Sequence, residues 1–450
     1  MGAQPCGAPG LYVHVPFCVA RCRYCAFASS VYDRAGAERY LVALAREAAG
    51  FGTWALGFGN GSCAESPKPK AESRPFATLY LGGGTPTVLP AELLERLCAL
   101  PAIAAALRDA GERTVEANPG TVDAARLGLL RRAGFDRISL GAQSFDDAEL
   151  ALLGRVHRAG ETAEAVRLAR AAGFDNLGLD LIFGLPGQRP EGFLASLEAA
   201  LRLAPEHVSL YGLTYEPGTP LAEEVKGTAP IAARHRYRYR NRSGARNGRA
   251  ERKDFSPLRG SDTDSDSDTD ADRTGTADGP RLRPCDEEAE RDMYLAAVGR
   301  LRSAGYAHYE IANFALPGRE SRHNLNYWAG GEYLGLGAGA ASYLDGERRV
   351  NTGDVAEYCA RVEAGRSPVE SAERLGAEKR AREALMLGLR MTSGVDLAGF
   401  RARTGFDAQA IFGATLESHL AAGRIELASG RLGLTLEGLL VANAVMADFI

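Results

Sequence analysis

At 450 residues the chain is long enough for about three folded units, and its 45% hydrophobic and 24% charged content is that of a globular protein. A net charge of −4 excludes a global attraction to nucleic acid or anionic membrane. Eight Cys are too sparse for a disulfide scaffold, and the longest apolar run, Cys98 to Leu107, is broken by Pro101 and is about half the roughly 20 residues of a transmembrane segment. The opening stretch MGAQPCGAPG has neither the basic residue nor the apolar core of a secretory signal, so a reducing cytoplasm is expected.

Strand patterns occur at Leu11–Val15, Thr78–Leu81, Arg113–Ala117, Arg137–Gly141, Asn176–Ile182 and Val208–Leu213. Between them lie helical patterns at Gly36–Ala49, Ala91–Leu107, Val122–Ala133, Asp146–Gly154, Thr162–Ala172 and Glu191–Arg202, with Gly134 and Gly173 placed as C-caps. This alternation predicts a parallel sheet with helices outside it, doubly wound or rolled into a partial barrel. Two stretches interrupt it. Gly52 to Pro75 reads as a loop insertion. Arg234 to Pro284 holds an arginine run, HRYRYRNRSGARNGRAERK, and an aspartate run, SDTDSDSDTDAD, with too little apolar content to fold. The arginine run could contact RNA or anionic lipid, with Tyr237 and Tyr239 for stacking, but a solvated, self-neutralising loop is the better reading.

The predicted organisation is a barrel over 1–230, a disordered insertion over 231–286, a flanking segment over 287–365 and a small C-terminal unit over 366–450. In that last unit helices near Ala377–Leu389, Leu397–Thr404 and Asp407–Ala422 precede a hairpin, RIELASGRLGLT, and a helix from Leu436. This is the order of a winged-helix fold, an α+β unit. Its third helix has no Lys or Arg before Arg424, so a packing or partner role is expected, and no nucleic acid.

The chemistry is concentrated in VPFCVARCRYCAF, on the loop after the first strand. Cys18, Cys22 and Cys25 have the spacing CxxxCxxC, which can hold three irons of a cubane cluster and leave the fourth open. A structural zinc would need a fourth ligand that no nearby Cys or His supplies. Cys6, Cys63, Cys98, Cys285 and Cys359 have no partner at ligand spacing. After the second strand, Gly82, Gly83 and Gly84 of LGGGTP would admit a ligand close to the backbone. Glu116, Gln143 and Asp180 belong to the third, fourth and fifth strands or their ends, and Arg155 follows the fourth. Converging from successive strands, they can line one cavity. GLGAGAAS, from Gly335, lacks the βαβ setting of a dinucleotide loop and reads as a turn near the barrel mouth.

A CxxxCxxC loop opening a βα array resembles the radical S-adenosylmethionine superfamily. The resemblance implies a partial TIM-type (β/α)6 barrel with ligands at the C-terminal strand ends. It also implies one 4Fe-4S cluster on the three cysteines, and S-adenosylmethionine chelated at the open iron and cleavable to a 5′-deoxyadenosyl radical. Within the superfamily the pattern is similar to oxygen-independent coproporphyrinogen III oxidase and the related heme chaperones. On that likeness Tyr12, Gly83, Gly84, Thr85, Glu116, Gln143, Arg155 and Asp180 would contact S-adenosylmethionine, and Tyr24 would pack near the cluster. The oxidase pattern has a fourth Cys two residues after the third, where this chain has Phe27, and a longer arm before the cluster loop, where this chain has 17 residues before Cys18. The chaperone pattern has HNxxYW, matched by His323, Asn324, Tyr327 and Trp328. The resemblance therefore implies a heme chaperone, with His323 a heme contact, respiratory hemoproteins among the expected clients, and room for peripheral membrane contact. Decarboxylation of porphyrinogen propionates is the alternative.

Overall fold

The computed structural model describes residues 7–54, 76–225 and 282–450. The arginine and aspartate runs, and all but the first three residues of the predicted 52–75 loop, lie outside the described residues. The predicted strands form as β1 (Gly10–Val15), β2 (Thr78–Gly83), β3 (Arg113–Ala117), β4 (Arg137–Gln143), β5 (Leu177–Phe183) and β6 (His207–Gly212), all parallel and adjacent in that order. One face of each is apolar. Leu11, Val13, Leu79, Leu81, Val115, Ile138, Leu140, Leu179 and Val208 are fully buried against the surrounding helices, the burial that contributes most to the fold. The other face carries Tyr12, His14, Tyr80, Glu116, Ser139, Asp180, Ser209 and Tyr211. Parallel strands usually hide both faces among apolar groups; here the alternation produces a polar lumen.

Helix starts and stops follow local chemistry. Asp123, Asp146 and Asp286 each accept hydrogen bonds from N–H groups of the helix they precede. Gly134 ends its helix at φ 115°, a conformation that only glycine adopts without strain.

Three differences from the sequence reading stand out. The first helix, Arg34–Trp54, is longer than its periodicity predicts. The segment after the insertion joins the sheet instead of merely flanking it. Tyr333–Leu336 is a seventh parallel strand beside β1, followed by antiparallel Ala341–Leu344, Glu347–Asn351 and Val369–Arg374, while Asn313–Ala315 and Ala307–Glu310 extend the β6 edge. The result is an open 12-stranded sheet. Residues 282–286, counted with the disordered insertion, are ordered by burial of Cys285 and by the Asp286 cap.

GLGAGAAS thus begins inside a strand, and its turn follows at Gly337, φ 103°. That glycine is required by packing: a Cβ there would lie 2.2 Å from the Tyr40 hydroxyl. The C-terminal unit has helices Ala377–Gly388, Leu397–Thr404 and Ala408–Ala421 around a three-stranded sheet of Val395–Asp396, Arg431–Leu434 and Ile425–Ala428, the winged-helix order.

Candidate functional site

The cluster loop leaves β1 at the C-terminal end of the barrel. It is anchored where Phe17–Cys18 pairs with Ser30–Val31. The Arg23 N–H donates to the Leu153 carbonyl at 3.0 Å, and its side chain to the Leu152 carbonyl at 3.1 Å and to Glu224. Cys18, Cys22 and Cys25 are half-buried and unbridged. Burial pushes the Cys18 and Cys25 thiols up. Thr85 Oγ1 donates to Cys18 Sγ at 3.7 Å, and Arg155 Nη1 to Cys22 Sγ at 3.4 Å.

Among the described residues no group of three or more His, Cys, Asp or Glu is gathered as a single metal ion would require. A cubane instead takes a separate iron for each thiolate. The Arg155 guanidinium, with its buried Nε unpartnered, sets a positive charge beside the thiolates, as a negatively charged cluster favours. The donor set fits a 4Fe-4S cluster.

Next to this loop the lumen brings together the residues singled out in the sequence. Glu116 is held at both oxygens, accepting from the Tyr80 hydroxyl at 2.7 Å and the Gly83 N–H at 3.0 Å. Burial, with the neighbouring Asp180 charge adding to it, raises its carboxyl despite those donors. Asp180 accepts from Ser139 Oγ at 3.2 Å and is raised by burial. Arg155 Nη2 donates to the Gly141 carbonyl at 2.7 Å and to Asn118 Oδ1. Asn118 Nδ2 in turn donates to Thr85 Oγ1 at 2.6 Å. Gln143 lies at φ 64° beside Gly141, where a Cβ would meet Gln143 Nε2 at 2.7 Å, Asn118 Oδ1 at 3.1 Å and Arg155 Nη2 at 3.4 Å. Tyr24 packs against the buried cluster of Leu153, Ile182 and Leu185, and burial raises its hydroxyl.

The glycine triplet leaves room for the protein's own groups. A Cβ on Gly82 would meet the Glu116 carboxylate at 2.7 Å, one on Gly83 the His14 ring at 2.4 Å, and one on Gly84 the Phe17 carbonyl at 2.6 Å. The close approach is therefore made by the protein itself. The triplet seats Glu116 and presses the loop against the stem of the cluster loop.

Sequence reasoning missed Asn118, Tyr80 and His14. His14 Nε2 donates to the Ala28 carbonyl at 2.8 Å, which leaves Nδ1 to accept from the Tyr12 hydroxyl at 2.9 Å. The signal available was the polar residue at every second position of β1, β2 and β3.

The HNxxYW segment lies elsewhere. Its helix, Arg322–Trp328, closes the barrel at the N-terminal strand ends, where Glu112 accepts the N–H groups of Arg322 and His323 at 2.9 and 3.0 Å. His323 is 1% exposed. Its Nδ1 bonds Thr78 Oγ1 at 2.7 Å, its Nε2 bonds the Tyr327 hydroxyl at 2.9 Å, and its ring stacks on Tyr80. Burial pushes it down to about 3, so it is a neutral ring. In this arrangement both ring nitrogens are engaged within the protein. Trp328 lies under the Arg390 guanidinium, 4.2 Å from the ring centroid.

Residues 12–200 match the radical SAM superfamily model, and residues 375–441 match the HemN C-terminal domain. The heme chaperone HemW of Bacillus subtilis is 31% identical over 440 residues, spanning 98% of each chain. The heme chaperone HemW of Mycobacterium tuberculosis is 32% identical over 444 residues, 98% of this chain and 94% of that one. Among solved structures, coproporphyrinogen III oxidase (HemN) of Escherichia coli has a TM-score of 0.72 at 20% identity, covering 98% of this chain and 90% of that one, a likeness of fold. Among the described residues no helix is long and apolar enough to cross a membrane. The chain belongs to the heme chaperone HemW family of the radical S-adenosylmethionine superfamily.

Proposed function

We propose that this protein binds heme and passes it to client hemoproteins, respiratory ones among them, in the cytoplasm with peripheral membrane contact. The observation that carries the reading is the full-length likeness to heme chaperones, 31% identity across 98% of the chain. Phe27 supports it, standing where the oxidase pattern has a fourth Cys.

In this reading Cys18, Cys22 and Cys25 hold the cluster, which when assembled supplies one-electron reduction at an open iron. Glu116 and Asp180 give the lumen its negative charge and would face the amino and sulfonium groups of S-adenosylmethionine. Tyr80 and the Gly83 N–H fix the Glu116 carboxylate so that little ordering remains to be done on binding. Tyr12, Gly84, Thr85, Gln143 and Arg155 would supply the remaining contacts, and Arg155 spans from Cys22 to the lumen wall. The proposed division of the chain is a barrel over 1–230, an insertion that ends before Leu282, a segment that completes the sheet through Arg374, and a winged-helix-like unit beyond it.

The test is an anaerobic heme titration of the cluster-reconstituted protein followed by Soret absorbance. Saturable binding is the expected result. A flat, unsaturable response would sink the chaperone reading, and anaerobic consumption of coproporphyrinogen III with deoxyadenosine release would establish the oxidase alternative in its place.

A further inference from the structure

Three large apolar side chains stay exposed on and beside the cluster loop. Val19 is 47% exposed, Phe27 67% and Val31 56%, although the strand beneath them is fully packed. Each is fixed to a cluster cysteine by backbone geometry. Val19 follows Cys18, Val31 pairs with Cys18 in register, and Phe27 lies two residues beyond Cys25. Exposed apolar side chains set around a cluster loop in this way are the kind of surface that marks a binding site.

Its charge narrows the choice. Arg23 is tied to Glu224 and the Leu152 carbonyl, whereas Arg21, on the same loop and exposed, has no ion pair or hydrogen bond among the described residues. A flat apolar body with an acidic edge meets both features. A tetrapyrrole carrying propionates has that form, its face against Phe27 and the valines and one carboxylate on the Arg21 guanidinium.

The histidines bear on how the iron is held. His14, His157, His207, His308, His323 and His419 are all at most 7% exposed, so no described imidazole reaches this rim. We infer that heme docks on the cluster loop, on Val19, Phe27, Val31 and Arg21, gripped by its face and a propionate without histidine ligation. This rests on the heme-binding reading above and moves the site away from the HNxxYW helix. A cargo held without a histidine–iron bond leaves its axial positions open to a client's ligand, as transfer requires.

The experiment compares heme titrations of the reconstituted full chain as wild type, Phe27→Asp, Arg21→Glu and His323→Gln, with iron and sulfide content measured in each. The loop variants should bind about tenfold or more weakly with wild-type cluster content, and His323→Gln should keep the wild-type affinity and Soret maximum. If His323→Gln fails to fold, Tyr327→Phe serves, since it frees Nε2 while keeping the ring. Loop variants that bind as wild type would overturn the inference, as would loss of binding or a shifted Soret band in a folded His323 or Tyr327 variant. Unchanged heme affinity with slower reduction of the cluster by reduced flavodoxin would assign the rim to an electron donor and also overturn it. Absence of saturable binding by the wild type would instead defeat the chaperone reading itself.

Discussion

The two ends of the barrel use the same residue types for opposite purposes. At the N-terminal end the two nitrogens of the buried His323 ring bond Thr78 and Tyr327 and its backbone N–H bonds Glu112, while Trp328 Nε1 of the same helix is buried without a partner. At the C-terminal end the thiols stay half-buried, the Arg155 Nε is unpartnered, and Phe27 projects outward. A satisfied polar network specifies structure, whereas an unsatisfied one is prepared for a ligand. A recognisable motif can therefore hold residues of both kinds, and the hydrogen-bond inventory of each residue decides which.

The largest effect expected at the C-terminal end is that of Cys22→Ala, which should abolish bound iron, sulfide and the cluster's visible absorption while thermal unfolding stays near wild type. A variant that kept a full cluster would remove the contrast between the ends. At the floor, His323→Ala deletes a buried ring with two hydrogen bonds and should cost about 3 kcal/mol in denaturant unfolding; a neutral result would show that the floor is not structural. Glu116→Gln keeps the shape of the lumen but removes its charge. It should weaken S-adenosylmethionine binding roughly tenfold or more in equilibrium dialysis.

Acid sharpens the same comparison. Burial holds His323 down to about 3, while an unfolded histidine titrates near pH 6.5. Below that pH the unfolded chain binds a proton that the folded chain does not. The stability from the neutral ring is therefore full above pH 6.5 and is lost as pH falls toward 3. Between about pH 6.5 and 5, the stability gap between wild type and His323→Gln should narrow by about 2 kcal/mol. The smallest effect is a control away from both ends. Asp407 accepts the N–H groups of Gln409 and Ala410, and Asp407→Ala should cost about 1 kcal/mol without altering cluster content or heme affinity.

Much of this architecture is legible in the sequence because its signals are local. Six strands, the terminal Gly134 and the cysteine loop each declare themselves within a few residues. Tyr333–Leu336 does not, because what makes it a strand is the open edge of β1 far back in the chain. Gly82 and Gly84 show a different limit: their sequence announces close approach, but only the structure shows that Glu116 and the Phe17 backbone are what approach. His323 was legible as a motif and opaque as a role, since its partners Thr78 and Glu112 come from other strands and loops.

The pairing of Gly10 with Tyr333 also bears on synthesis. While the chain emerges from the ribosome, β1 can find β2 early, but its other edge has no partner until nearly three-quarters of the protein has been made. An unpaired parallel edge invites intermolecular pairing, and a contact of such sequence separation forms late. Nascent chains stalled before residue 333 should therefore hold general chaperones longer than chains stalled just beyond it, so this protein is itself a client of the folding machinery before it can serve clients of its own.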